Sequence, residues 1–427
     1  MSGSIVANAP AEKPGSGILG EQNRWLYVII GFLISIVLGL LYAWSIFVLP
    51  LEKQFGWTRA QTSLAFTFSI VFFVVGMITG GKHLDKKGPR IVLSIGSIVL
   101  AMGLFIASFT QSLPMLYVSY GVFCGFGIGY ANVCPIGTVL RWFPDRRGLV
   151  SGILVMGFGL AAFVLGSWAN YVIQGMGWEW AFRLFGVLSV AFCVGGAQLM
   201  KYPAPGWVPA TFTQNAGAGK KTKVSACDYT WKQMIQTSTW WIWWTFHLVM
   251  LTGGLMVIGH IVPFAVEGGV SNAQAVFAMG VFSVFNGLGR LEIGYLWDKI
   301  GRNATMMINA VTMLLGLVCL NYIVPVVGYG ALLVAVTLIG ASFGGAIPVA
   351  SSLISASFGS KNFGLNYGLA TTPMVFAATV GPYLAGYIRT ATKSYESAIL
   401  TAAFLAAIGI VTGLIVRDPS SLKAKDK

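Results

Sequence analysis

The chain has 427 residues, 56% of them hydrophobic and only 9% charged, against about a quarter charged in soluble domains. A water-soluble exterior is therefore excluded, and most of the outer surface faces lipid. The net charge of +14 falls in short runs between apolar stretches, with no basic domain, which argues for topology signals and against nucleic-acid binding.

Residues 1–24 are polar and rich in Pro, Gly and Ser, with no cleavage site close behind the first apolar run; they are expected to form a cytoplasmic tail. A bilayer-spanning helix needs about 20 mostly apolar residues. Six such stretches follow, at 25–49, 62–81, 91–109, 113–140, 149–172 and 181–200, and make a first bundle of 25–200. The hydrophilic segment 201–238, with Pro203, Pro205, Pro209, Lys220, Lys221 and Lys223, reads as a central cytoplasmic loop. Six more stretches, at 241–266, 275–297, 304–324, 329–352, 363–388 and 398–416, make a second bundle of 239–417, before a cytoplasmic tail of 418–427. Pro50, Gly88-Pro89, Pro114, Pro144, Gly301 and Pro419 punctuate these spans from outside. Pro135, Pro348, Pro373 and Pro382 read as kinks within them. The predicted fold is an all-α membrane protein of twelve transmembrane helices in two six-helix bundles, working as a monomer.

Orientation follows from Lys and Arg. With both termini in the cytoplasm, inner segments carry 21 of the 27 and outer segments five: Lys53, Arg59, Arg183, Arg389 and Lys393. One cation, Arg290, lies inside a span. Cys124, Cys134, Cys193 and Cys319 fall in apolar segments and Cys227 in the central loop; no spacing suggests a metal site, no disulfide is expected, and packing is the simple role. No G-x-x-x-x-G-K-[ST] motif and no cluster of membrane acids are present. ATP-driven transport and an integral enzyme are therefore not expected, nor is any cofactor.

The two halves share a motif. Gly81, Asp85, Gly88 and Arg90 follow the second span; Gly294, Asp298, Gly301 and Arg302 follow the eighth, the aspartates lying 213 residues apart. Glycines permit a tight turn and close helix contact. An aspartate there can accept hydrogen bonds from a neighbouring helix end or pair with an arginine, so the motifs are expected to latch a conformation rather than do chemistry. Spacing, repeat and central loop together resemble the major facilitator superfamily, which implies rocking bundles around a mid-membrane site. Arg141-Trp-Phe-Pro-Asp-Arg-Arg-Gly148, Asn23-Arg-Trp25 and Phe285-Asn-Gly-Leu-Gly-Arg290 narrow the resemblance to the monocarboxylate transporter and oxalate–formate antiporter branch. The implied cargo is a small carboxylate.

Arg290 stands eight residues before Asp298, about 12 Å from the inner end at 1.5 Å per residue. A cation at that depth is costly unless it meets a watery cavity or a partner, and its fork matches a carboxylate. A pair with Glu292 or snorkelling is the bland alternative. In the resembled family the arginine of this segment binds the substrate carboxylate. Asn286, one turn earlier on the same face, stands where many animal monocarboxylate carriers have a proton-coupling aspartate, so that proton route is in doubt. His260, in the outer part of the seventh span, is a candidate for substrate or proton; His247 is expected to be structural, and His83 lies in the motif loop. Tyr130 could offer a hydroxyl to the cavity. Tyr42, Phe343 and Tyr367 stand where the resembled family lines its cavity with aromatics, although packing explains each as well. The oxalate-type antiporter has a second cation, a lysine, where this chain has Ala370. One buried cation balances one carboxylate, so the expected function is secondary transport of a small monocarboxylate such as lactate, pyruvate or acetate, by proton symport. Oxalate/formate-type exchange is the alternative, and a transporter-like sensor a remote one.

Overall fold

The computed structural model describes residues 23–204, 207, 228–258 and 260–419. Their regular structure is helical throughout. The membrane helices are α1 (Arg24–Phe55), α2 (Arg59–Lys87), α3 (Pro89–Ala107), α4 (Leu113–Trp142), α5 (Arg147–Met176) and α6 (Trp178–Leu199). After the linker come α7 (Ser238–Ile258, resuming at Ile261–Glu267), α8 (Asn272–Ile300), α9 (Arg302–Val327), α10 (Tyr329–Phe358), α11 (Phe363–Ala370 and Thr372–Thr392) and α12 (Glu396–Ile415). Eleven of them are long and apolar enough to cross a membrane as single helices. The remaining one, α11, breaks at Thr371, just before Pro373.

Several predicted boundaries move. The first span runs past Pro50, which lies inside the helix rather than beyond it. The second does not stop before its motif: His83 and Asp85 belong to its last turns, and the chain turns at Gly88, whose φ is +77°. The matching turn of the second half, Gly301, has φ +82°. In both places only glycine enters the left-handed region without strain. Pro373 marks a break rather than a kink.

Helices of one half pack mainly on each other: α2 on α4, α3 on α4 and α6, α1 on α5; and likewise α8 on α10, α9 on α12, α7 on α11 and α12. Among the described residues the two main seams between the halves are α5 with α8 and α2 with α11. Both are built on glycine at the end of the molecule that carries the described chain ends. A Cβ at Gly148 would overlap the backbone at Gly294, and one at Gly81 the backbone at Gly364. Without side chains these backbones touch, which is how helices associate where no hydrophobic drive exists between them.

Candidate functional site

The repeated motif makes the same contact twice. Asp298 at the end of α8 accepts from the backbone N–H groups of Gly148 and Leu149, at 2.9 and 2.8 Å. Asp85 at the end of α2 accepts from those of Gly364 and Leu365, both at 3.0 Å. Each carboxylate thus sits on the positive N-terminus of a helix of the other half, where free N–H groups and the helix dipole favour an anion. Arg141 adds to the second contact. Its guanidinium lies 3.6 Å from Asp85, donates to the Ser360 carbonyl at 3.0 Å, and stacks on the Tyr202 ring. Arg147 crosses from α5 to the Ser355 carbonyl of α10 at 2.8 Å, and Ser151 meets Ser351 beside it. The motif arginines differ from each other. Arg302 ties α9 to Asp418 at 2.8 Å, whereas Arg90 is exposed.

Above these contacts on the α5–α8 seam lies Arg290, buried to 2% exposure. Its Nη1 donates to the Val155 carbonyl of α5 at 2.7 Å, and its Nε to Asn286 Oδ1 at 3.3 Å. Gly152 lets α5 approach the Arg290 backbone. A Cβ at Gly159 would lie 2.8 Å from Nη1, so the guanidinium occupies the space that glycine leaves. Glu292 is exposed, on a different side of α8 from the buried Arg290. Asn286 is half-buried, its backbone pressed against Gly344 of α10. Val155 and Gly159 were not singled out from sequence. The stripe Gly148, Gly152, Gly159 on α5 was the available signal, but a small-residue stripe does not say which helix it meets.

The other candidates make contacts of their own. Tyr130 shares a 2.7 Å hydrogen bond with His83 Nδ1 on the α2–α4 seam. Gly76 and Gly80 of α2 press on the Tyr130 backbone and so hold the side chain there. His260 donates through Nε2 to the Pro382 carbonyl at 3.1 Å and faces Tyr395, in a small pocket with Met256, Leu320 and Ile399. It is thus turned into the second half rather than toward the α5–α8 seam. His247 stacks on Trp243. Phe343 is buried against Gly254 and Phe282. Tyr367 stacks on Phe363, their ring centres 5.2 Å apart. Tyr42 lies in a tight turn of α1, but its side chain lies outside the described residues; Cys227 does so entirely. Ala370 is fully buried where α11 breaks. Among the described residues no cluster of three or more His, Cys, Asp or Glu side chains could hold a metal.

The Major Facilitator Superfamily family model matches residues 27–372 and 249–427. The chain belongs to the major facilitator superfamily. It is a multi-pass membrane transporter, not an enzyme. Among its relatives, the oxalate:formate antiporter of Oxalobacter formigenes is 30% identical over 72% of this chain and 72% of that protein. Monocarboxylate transporter 13 of Rattus norvegicus is 26% identical over 90% and 86%. Relatives of this superfamily thus include both kinds of carrier in the branch that the motifs indicated. The fold is that of the Escherichia coli fucose:proton symporter, with TM-score 0.67 at 15% identity over 92% of this chain and 99% of that one.

Proposed function

We propose that this transporter carries small monocarboxylates of the lactate, pyruvate and acetate class across the cell membrane by proton symport, with both termini in the cytoplasm. The observation that carries the reading is the place of Arg290. It is a buried cation on the seam between the halves, bonded to a backbone carbonyl of α5 and to Asn286. The planar fork of an arginine matches a carboxylate, which can take both of its arms. Separation of α5 from α8 releases Nη1 from Val155 and exposes the fork to a substrate. Rocking of the halves is thereby coupled to anion binding. One such cation with Ala370 in place of a second suits one negative charge.

The test is uptake of labelled lactate into proteoliposomes under an inward proton gradient. Arg290→Ala and Arg290→Lys are expected to insert normally and to cut uptake at least about 30-fold, from the loss of one charge-assisted bond worth about 2 kcal/mol. Normal uptake by Arg290→Ala sinks the assignment, and so does oxalate competing far better than lactate or acetate.

Carboxylate exchange is a second reading, favoured by one observation. The three histidines are engaged with Tyr130, Trp243 and the Pro382 carbonyl rather than with Arg290, and Asn286 does not titrate. Uptake that requires internal anion and ignores the proton gradient selects exchange.

A further inference from the structure

A lipid-facing groove runs between α3 and α6. Its walls are Ile98, Ala101, Met102 and Phe105 of α3 with Gly186 and Val190 of α6, and this open trough holds about 530 Å³. That size lies within the range of about 300–1,000 Å³ typical of ligand clefts. Small residues form its floor: a Cβ at Gly186 would already lie 3.4 Å from the Ala101 carbonyl. Larger side chains, with Ile98 and Phe105 about half exposed, stand along its rims.

The one charged group on the groove is Arg183, five residues inside the start of α6. That is about 7.5 Å along the helix, at the end opposite the described chain ends. A cation on a lipid-facing surface at that depth is costly without a counter-charge. Its Nε donates to Ser108 Oγ at 3.1 Å, and its guanidinium lies 4.8 Å from the Phe109 ring centre and 5.0 Å from that of Trp180. This cradle sets the plane of the guanidinium. Among the described residues no group accepts from Nη1 or Nη2. Glu179, one turn earlier at pairing distance along the helix, folds its carboxylate back beside Gly177 and makes no ion pair with Arg183 within the described residues. Arg389, at the same end of the molecule, has its carboxylate in Glu267 at 3.0 Å.

The geometry points to a seat for one anionic glycerophospholipid, its phosphate on the Arg183 fork and an acyl chain in the α3–α6 groove. Two parallel N–H donors match a phosphate. Trp180 and Phe109, both about half exposed, mark the headgroup level. A free anion would leave the apolar slot empty, and water in it would find no polar partners.

The test is native mass spectrometry of the full-length protein in detergent, titrated with phosphatidylglycerol or phosphatidylcholine of equal chain length. About a fivefold preference for phosphatidylglycerol is expected from one cation at the headgroup. Arg183→Ala abolishes that preference and Arg183→Lys retains most of it. Gly186→Leu fills the groove and weakens both lipids. The seat is refuted if Arg183→Ala prefers phosphatidylglycerol as the parent does, or if Gly186→Leu binds both lipids as the parent does. Glycerol phosphate competing as well as the lipid makes it a simple anion site and overturns the proposal. A dimer lost in Gly186→Leu makes the occupant a second copy, with the same consequence.

Discussion

Replacing Asp298 by Asn tests the latch most directly. The carboxylate accepts two backbone hydrogen bonds across the seam, at 2.9 and 2.8 Å, and rests on the N-terminus of α5. Asparagine keeps one acceptor and turns an amide donor toward the other N–H. A hydrogen bond to a charged group contributes about 1.5–3 kcal/mol. Since one of the two bonds is solvent-exposed, the lower part of that range, about 1.5–2 kcal/mol, is the fair expectation. Each 1.36 kcal/mol is tenfold, so the joined state should lose about ten- to thirtyfold in population. Spin labels at Arg146→Cys and Lys299→Cys, both exposed beside this contact, in a background free of native cysteines, report the distance by pulsed EPR. Asp298→Asn should enlarge the long-distance population, and Asp298→Lys, which brings a cation to the helix N-terminus, should enlarge it further. If both leave the distance distribution of the parent unchanged, the carboxylate is no latch.

Gly294→Ala should open the same label pair, since its new methyl would press on the Gly148 backbone and overpacking costs about 1–3 kcal/mol; an unchanged distribution means the backbones are not in contact. His260→Ala should keep the lactate KM within about twofold while lowering the melting temperature, because it loses one neutral hydrogen bond worth about 1 kcal/mol to Pro382. A KM raised tenfold or more would place His260 at the substrate after all.

Much of the fold was legible without coordinates, because lipid imposes a coarse rule. Each crossing must satisfy its own backbone bonds, so length and apolarity reveal the spans. The 213-residue offset of Asp85 and Asp298 revealed the repeat. Where the rule is silent the reading slipped. Pro50 lies inside a helix because a proline within the membrane is tolerated when neighbouring groups compensate. The helix of α2 ran on through the motif, since Lys86 and Lys87 suit a helix C-terminus and only Gly88 turns it.

The candidate site divides along the same line. Sequence alone determined that Arg290 is a cation in a span, that Asn286 shares its face, and that no second cation stands at Ala370. Those are facts of residue type and spacing along one helix. Only the tertiary structure decided what each side chain meets. It set Arg290 on the Val155 carbonyl, Asp298 on the N-terminus of α5, Tyr130 on His83 and His260 on Pro382. Periodicity fixes the direction of a side chain relative to its own helix axis, but which helix stands in that direction depends on how glycine stripes from distant parts of the chain pair, and that pairing leaves no mark in either stripe alone.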